Sequence, residues 1–224
     1  MRISLPSGTA AEIALPAGVA TRGVVVAPDI FGLRPLFDDL VARLAADEQW
    51  AVIAVEPFPT HPHLQDVDAR FAAVATLDDE RVIGDLLAGA DHLVEAAGVP
   101  AESVAVLGFC MGGMYALKAA SNRRFDRAVA FYGMIRIPLA WRGPGQDEPL
   151  ELFERFGAIP TLAIVGGLDP YTPRDDVAAL GGVPHVQVAE YPDAEHGFVH
   201  DPSRPSHRQA DAADAWSRVR TFLA

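Results

Sequence analysis

Short, nearly uninterrupted apolar runs recur along the chain, separated by longer stretches in which apolar residues return every three or four positions. The runs at 23–27, 51–55, 104–107, 127–132, 161–165 and 186–191 are too short for buried helices and are rich in valine, alanine and leucine, as strands buried on both faces are. Between them, 36–44, 78–97, 111–121 and 206–222 carry helical periodicity. In the last of these, Ala210, Ala213, Trp216, Val219 and Phe222 are expected to form the inward side. Strands alternating with helices predict an α/β fold with a mostly parallel central sheet and helices on both faces. Nothing repeats internally and no linker interrupts the pattern, so residues 1–224 are expected to form one domain. The irregular stretches 56–65 and 137–149 read as loops over a site rather than as boundaries.

Gly108-Phe109-Cys110-Met111-Gly112-Gly113 directly follows the run Val104-Ala105-Val106-Leu107 and opens a helical stretch. A nucleophile among close glycines on a strand-to-helix turn is the elbow of α/β-hydrolases, with cysteine here in place of serine. The run at 161–165 empties into Gly166-Gly167-Leu168-Asp169-Pro170, and the run at 186–191 leads into Ala194-Glu195-His196-Gly197-Phe198. Nucleophile, acid and histidine thus follow in the chain order of that fold's triads, each after a strand, where open α/β sheets place their ligands. Cys110 is expected to attack, His196 to carry the proton and Asp169 to fix the imidazole. The backbone N–H groups of Met111 and Ile30 are expected to receive the oxyanion. Singly, these residues have plainer readings: a core thiol, a helix-capping aspartate, a loop histidine. Their joint order favours catalysis.

Composition narrows the setting. A chain of 224 residues, 50% hydrophobic, can bury a core without disulfides or metal. One cysteine excludes an internal disulfide and suits a reducing compartment; residues 1–20 lack a signal-peptide pattern, and no apolar stretch could span a bilayer. A cytoplasmic monomer is expected. A net charge of −12 disfavours nucleic acid and anionic membranes as partners, and obliges any anionic substrate to find local cations. His61-Pro62-His63 has no third ligand nearby and reads as a loop feature, so neither metal nor cofactor is expected.

The elbow, together with Pro28-Asp29-Ile30-Phe31-Gly32-Leu33, Gly166-Gly167-Leu168-Asp169-Pro170-Tyr171-Thr172-Pro173 and Ala194-Glu195-His196-Gly197-Phe198, resembles the dienelactone hydrolase family over nearly the whole chain. The resemblance implies a cofactor-free Cys110–Asp169–His196 triad that hydrolyses a small ester or lactone. It also implies that Asp29, where the family usually has glutamate, holds the resting thiol. The family's substrate-carboxylate anchors are altered: the arginine four residues after the histidine is His200, the upstream tyrosine falls on Phe71, and the nearest arginine is Arg70. With Tyr132 these are the candidate substrate contacts. The departures leave open a less polar or differently charged ester, lactone or thioester. A second reading, a non-catalytic small-molecule binding or thiol redox-sensing protein on the same scaffold, does not require the ordered acid and base.

Overall fold

The computed structural model describes residues 1–59 and 66–224. In chain order its elements are β1 (Arg2–Ser4), β2 (Ala10–Ala14), β3 (Arg22–Ala27), α1 (Pro35–Glu48), β4 (Trp50–Val55), α2 (Val67–Val74), α3 (Asp79–Ala97), β5 (Val104–Phe109), α4 (Met111–Ala119), β6 (Ala128–Phe131), α5 (Pro149–Phe156), β7 (Thr161–Gly166), α6 (Arg174–Gly181), β8 (Val186–Tyr191) and α7 (Gln209–Leu223). One eight-stranded sheet runs β1-β2-β4-β3-β5-β6-β7-β8. From β4 onward every pairing is parallel, and β1 and β2 add antiparallel strands at one edge.

The apolar runs are continuous because both faces of the sheet are covered. Val25, Ile53 and Val106 point into a core built with α3, α4 and α5. The alternate residues Val24, Val52 and Leu107 point into a second core with α1 and α7. Residues one apart on a strand therefore serve opposite layers, which no alternating polar pattern could satisfy. β5 lies near the middle of the sheet, with every residue buried.

All of α4 is buried as well. Its Lys118 is fully enclosed and donates to both carboxylate oxygens of Asp79, at 2.8 Å each, tying the elbow helix to the start of α3. Burial pushes the Lys118 ammonium down from its ordinary pKa while Asp79 pulls it back up. Removing either partner alone would strand a buried charge, so the pair fixes this packing even where its net stabilisation is small.

Three expectations are revised. The inward side of α7 is Ala212, Ala215, Val219 and Leu223; Ala210 and Ala213 are exposed, and Trp216 and Phe222 only half-buried. The stretch 137–149 is not an open loop: Ile137 and Trp141 are buried, residues Leu139–Trp141 form a 3-10 turn, and Asp79 and Gly145 are joined by a backbone hydrogen bond of 2.9 Å. The short strands β1 and β2 and the helices α2 and α5 are additional to the expected elements. His61-Pro62-His63 lies outside the described residues.

Candidate active site

Cys110 stands between the last residue of β5 and the first of α4 with φ 56° and ψ −118°. Positive φ on a non-glycine residue costs about 1–3 kcal/mol and persists only where the surroundings enforce it. Here the Cys110 N–H donates to the Phe131 carbonyl and its own carbonyl accepts from Met114 N–H, each at 3.0 Å. The flanking glycines are required by proximity rather than by torsion. A Cβ on Gly108 would lie 1.9 Å from the Gly112 carbonyl oxygen, and one on Gly112 would lie 2.0 Å from that of Ala27. The elbow helix is thus pressed against the end of β3, from which the Ile30 loop departs.

His196 and Asp169 come together from the loops after β8 and β7. The His196 Nδ1–H donates to Asp169 Oδ2 at 2.7 Å, while Asp169 Oδ1 accepts from Tyr171 N–H at 2.8 Å. Backbone bonds from Gly167 to Tyr191 (2.8 Å) and from Leu168 to Ala194 (3.0 Å) lace the two loops together. Burial works against the imidazolium, yet the Asp169 hydrogen bond and the neighbouring Cys110 raise His196 to about 10. With Nδ1 committed to Asp169, the side-chain interaction with Cys110 that helps raise the imidazole falls to the buried Nε2.

The expected oxyanion donors lie on two elements, Ile30 on the loop after β3 and Met111 at the start of α4. Among the described residues, neither the Ile30 nor the Met111 N–H is engaged in a hydrogen bond, although both residues are buried. Such buried donors are uncommon unless a ligand or water meets them. The loop is braced from β4 and α2. Leu33 N–H donates to Glu56 Oε2 at 2.9 Å, Arg70 donates to the Ile30 carbonyl at 3.2 Å, and Arg70 lies 3.6 Å from Glu56. Glu56 belongs to no motif in the sequence, and Arg70, read there as a candidate substrate contact, here braces the Ile30 loop.

Asp29 is fully enclosed, and its oxygens are taken up by partners other than the expected thiol. It accepts from Arg34 twice (2.6 and 2.8 Å), from His200 Nε2–H at 2.8 Å and from Phe31 N–H at 3.0 Å. Burial alone would raise this carboxyl; the His200 and Arg34 hydrogen bonds outweigh it and hold it well below the usual carboxylate range. No bond to Cys110 is among its interactions. His200, expected at the substrate, is instead buried with both ring nitrogens in use, Nδ1 accepting from the Tyr132 hydroxyl. Burial keeps this imidazole below its ordinary pKa, and also raises Tyr132 well above the usual phenol range. Tyr132, itself at φ 38°, packs edge-on against the His196 ring with centroids 5.1 Å apart. Phe71 pairs with Trp141 at 5.6 Å.

The sheet, and a cysteine on its strand-to-helix elbow with histidine and aspartate following at neighbouring strand ends, define an α/β-hydrolase. Residues 9–224 match the dienelactone hydrolase family, and the chain belongs to that family. A probable 2-oxo-3-(5-oxofuran-2-ylidene)propanoate lactonase from Bradyrhizobium is 30% identical over 206 residues, covering 89% of this chain and 82% of the relative. A carboxymethylenebutenolidase from Rhodococcus opacus is 28% identical over 210 residues, covering 89% and 79%. The solved structure of a candidate dienelactone hydrolase from Klebsiella pneumoniae superposes with a TM-score of 0.82 at 26% identity, covering 100% of this chain and 97% of that one. The protein is accordingly a hydrolase of the dienelactone hydrolase kind. Among the described residues no helix is long and apolar enough to cross a membrane.

Proposed function

We propose that the protein opens a small lactone, or cleaves a small ester, through a thioester on Cys110. The observation that carries this reading is the setting of Cys110: held at φ 56° on the elbow, it interacts with a His196 that is itself bonded to Asp169 at 2.7 Å, while among the described residues the N–H groups of Met111 and Ile30 are unengaged. A core cysteine would need none of this. The relatives lend the substrate class, being by name a lactonase and a butenolidase.

Attack forms the Cys110 Sγ–C bond while the carbonyl oxygen gains negative charge toward Met111 and Ile30, whose donors exist before the reaction and need no reorganisation. A raised His196 favours the imidazolium, the form that stabilises an adjacent thiolate and holds a proton for the leaving group. Collapse breaks the acyl C–O bond, the departing oxygen takes the proton from Nε2, and the acyl group stays as thioester. Water then adds as His196 removes its proton, the C–S bond breaks, and the carboxylate leaves. Asp169 keeps Nδ1–H oriented throughout. In this reading Asp29 shapes the loop that presents Ile30, through Phe31 and Arg34, rather than taking the thiol proton. We further place the protein in the cytoplasm as a one-domain monomer.

Because the His196 pKa is raised, its proton is retained through neutrality and lost as pH rises through about 10. The alkaline limb of kcat/KM, which reports the free enzyme, is expected near that value. In Asp169→Asn it should fall toward the ordinary histidine range of roughly 6.5. A limb unmoved by that substitution removes His196 from the proton's path.

Iodoacetamide tests the nucleophile directly. One equivalent should attach to Cys110, by mass, with parallel loss of dienelactone opening followed by ultraviolet absorbance, and saturating dienelactone should slow both. Full activity in completely alkylated protein rules the thioester route out.

A further inference from the structure

A second carboxylate–imidazole–hydroxyl chain lies beside the triad, and the chemistry above does not use it. The His200 Nε2–H donates to Asp29 Oδ2 at 2.8 Å, and Nδ1 accepts from the Tyr132 hydroxyl. Asp29 and Tyr132 are fully enclosed and His200 is buried, so the trio is closed to substrate. Packing alone does not call for it, because apolar groups of the same shape would serve the core as well. Tyr132 is also strained: φ 38° is rare for a bulky residue, and its N–H is held by the Ile164 carbonyl at 2.7 Å.

Each member touches a different catalytic element. Tyr132 follows Phe131, whose carbonyl holds the Cys110 N–H, and its ring packs against His196. His200 shares the loop of His196 and stacks on Phe109, the neighbour of Cys110, with centroids 4.9 Å apart. Asp29 opens the turn that carries Ile30. Its carbonyl accepts from Gly32 N–H at 2.9 Å and its Oδ1 from Phe31 N–H at 3.0 Å. These bonds fix the two planar peptides on either side of Ile30, and with them the direction of its N–H. Arg34 also holds Asp29, but its side chain is 25% exposed. That of His200 is 1% exposed and stacked on the Phe37 and Phe109 rings, which makes it the rigid reference.

The tautomer gives the chain a direction. An ionised Asp29 only accepts, so Nε2 must carry the ring proton; burial disfavours the imidazolium, which leaves Nδ1 bare and in need of a donor. The Tyr132 hydroxyl is that donor. Without it the ring gains the Nδ1–H tautomer, in which a bare Nε2 faces the carboxylate and the hold on Asp29 is lost.

We propose that Tyr132 and His200 are positioning residues for the oxyanion site, acting through Asp29 to hold the turn that presents the Ile30 N–H in register with the Cys110 elbow. This rests on the hydrolase reading above and adds two residues that work without touching substrate.

The test follows dienelactone opening by ultraviolet absorbance and, separately, the rate at which iodoacetamide alkylates Cys110, by mass. Alkylation needs the thiolate but no oxyanion donor, so it separates a role in the oxyanion site from one at the thiol. Tyr132→Phe keeps the ring and removes one hydrogen bond, and kcat should fall about 10-fold. His200→Leu releases Asp29, and kcat should fall about 100-fold, as for a lost oxyanion donor, with KM little changed. The double variant should be no worse than His200→Leu, since one chain is cut only once. His200→Gln, whose amide still donates, should recover part of the loss. Alkylation should keep its wild-type rate throughout, and thermal unfolding checks that each variant folds. In wild type at neutral pH, nitrogen-15 NMR should show His200 as the neutral Nε2–H ring. Wild-type kcat in folded His200→Leu, alkylation slowed in step with turnover, or an Nδ1–H or doubly protonated His200 in wild type overturns the proposal, while Cys110-dependent turnover leaves the hydrolase reading standing. Wild type without Cys110-dependent turnover overturns both.

Discussion

Cys110→Ala is expected to lower kcat for lactone opening by roughly 100,000-fold, in line with the loss of other catalytic nucleophiles. Alanine leaves the Met111 and Ile30 donors and the His196–Asp169 pair in place, so the oxyanion would still be met. What disappears is the atom that forms the acyl bond, and the one-step route by water lacks a nucleophile held at the carbonyl. Substrate affinity should change little, because the thiol is half-buried among groups that persist without it. Ultraviolet-monitored turnover, with dissociation measured separately by calorimetry, resolves the two effects. Binding retained with turnover lost is the expected pattern. Turnover within tenfold of wild type would place the chemistry elsewhere, and wild type that binds lactone without opening it would favour the binding-protein reading.

The second large effect concerns a residue with no functional group. Gly112→Ala would set a Cβ 2.0 Å from the Ala27 carbonyl oxygen and 2.3 Å from that of Pro28. Neither obstacle is a flexible side chain: both are backbone at the end of β3, and α4 is enclosed on every side. Relief therefore needs a shift of helix against sheet. Destabilisation of about 4 kcal/mol or more is expected, at the extreme of single substitutions, lowering Tm by roughly 10 °C or more. Scanning calorimetry measures it. The surviving folded protein should also be impaired, because the Met111 and Ile30 N–H groups sit on the two elements forced apart. A variant with wild-type Tm would mean that the elbow packs less tightly than described.

Much of this was legible in the chain because burial on both faces of a parallel sheet writes strands as plain apolar runs. The six runs correspond to β3 through β8, and the elbow and the two loops after β7 and β8 follow from the same reading. β1 and β2 escaped it because they are short and only partly buried, held at the sheet edge by the antiparallel ladders that join β1 to β2 and β2 to β4 rather than by apolar content. The inward face of α7 was misjudged because alanines at 210, 212, 213 and 215 fit more than one helical register; packing, not spacing, chose Ala212 and Ala215. The Asp29 network could not be foreseen. His200 reaches Asp29 across 171 positions, and no motif announces that an arginine at 34 will saturate a carboxylate at 29.

The two halves of the site hang from parts of the sheet that differ in support. β5, which delivers Cys110, is clasped by strands on both sides, whereas β8, whose loop delivers His196, is the outermost strand with only β7 beside it. Outer strands open at lower free energy than central ones. Warming or dilute urea therefore has a path that detaches the histidine while the cysteine's turn stays folded. Such a protein would keep most of its circular dichroism and already be inert, so the temperature at which it stops working would lie below the temperature at which it melts.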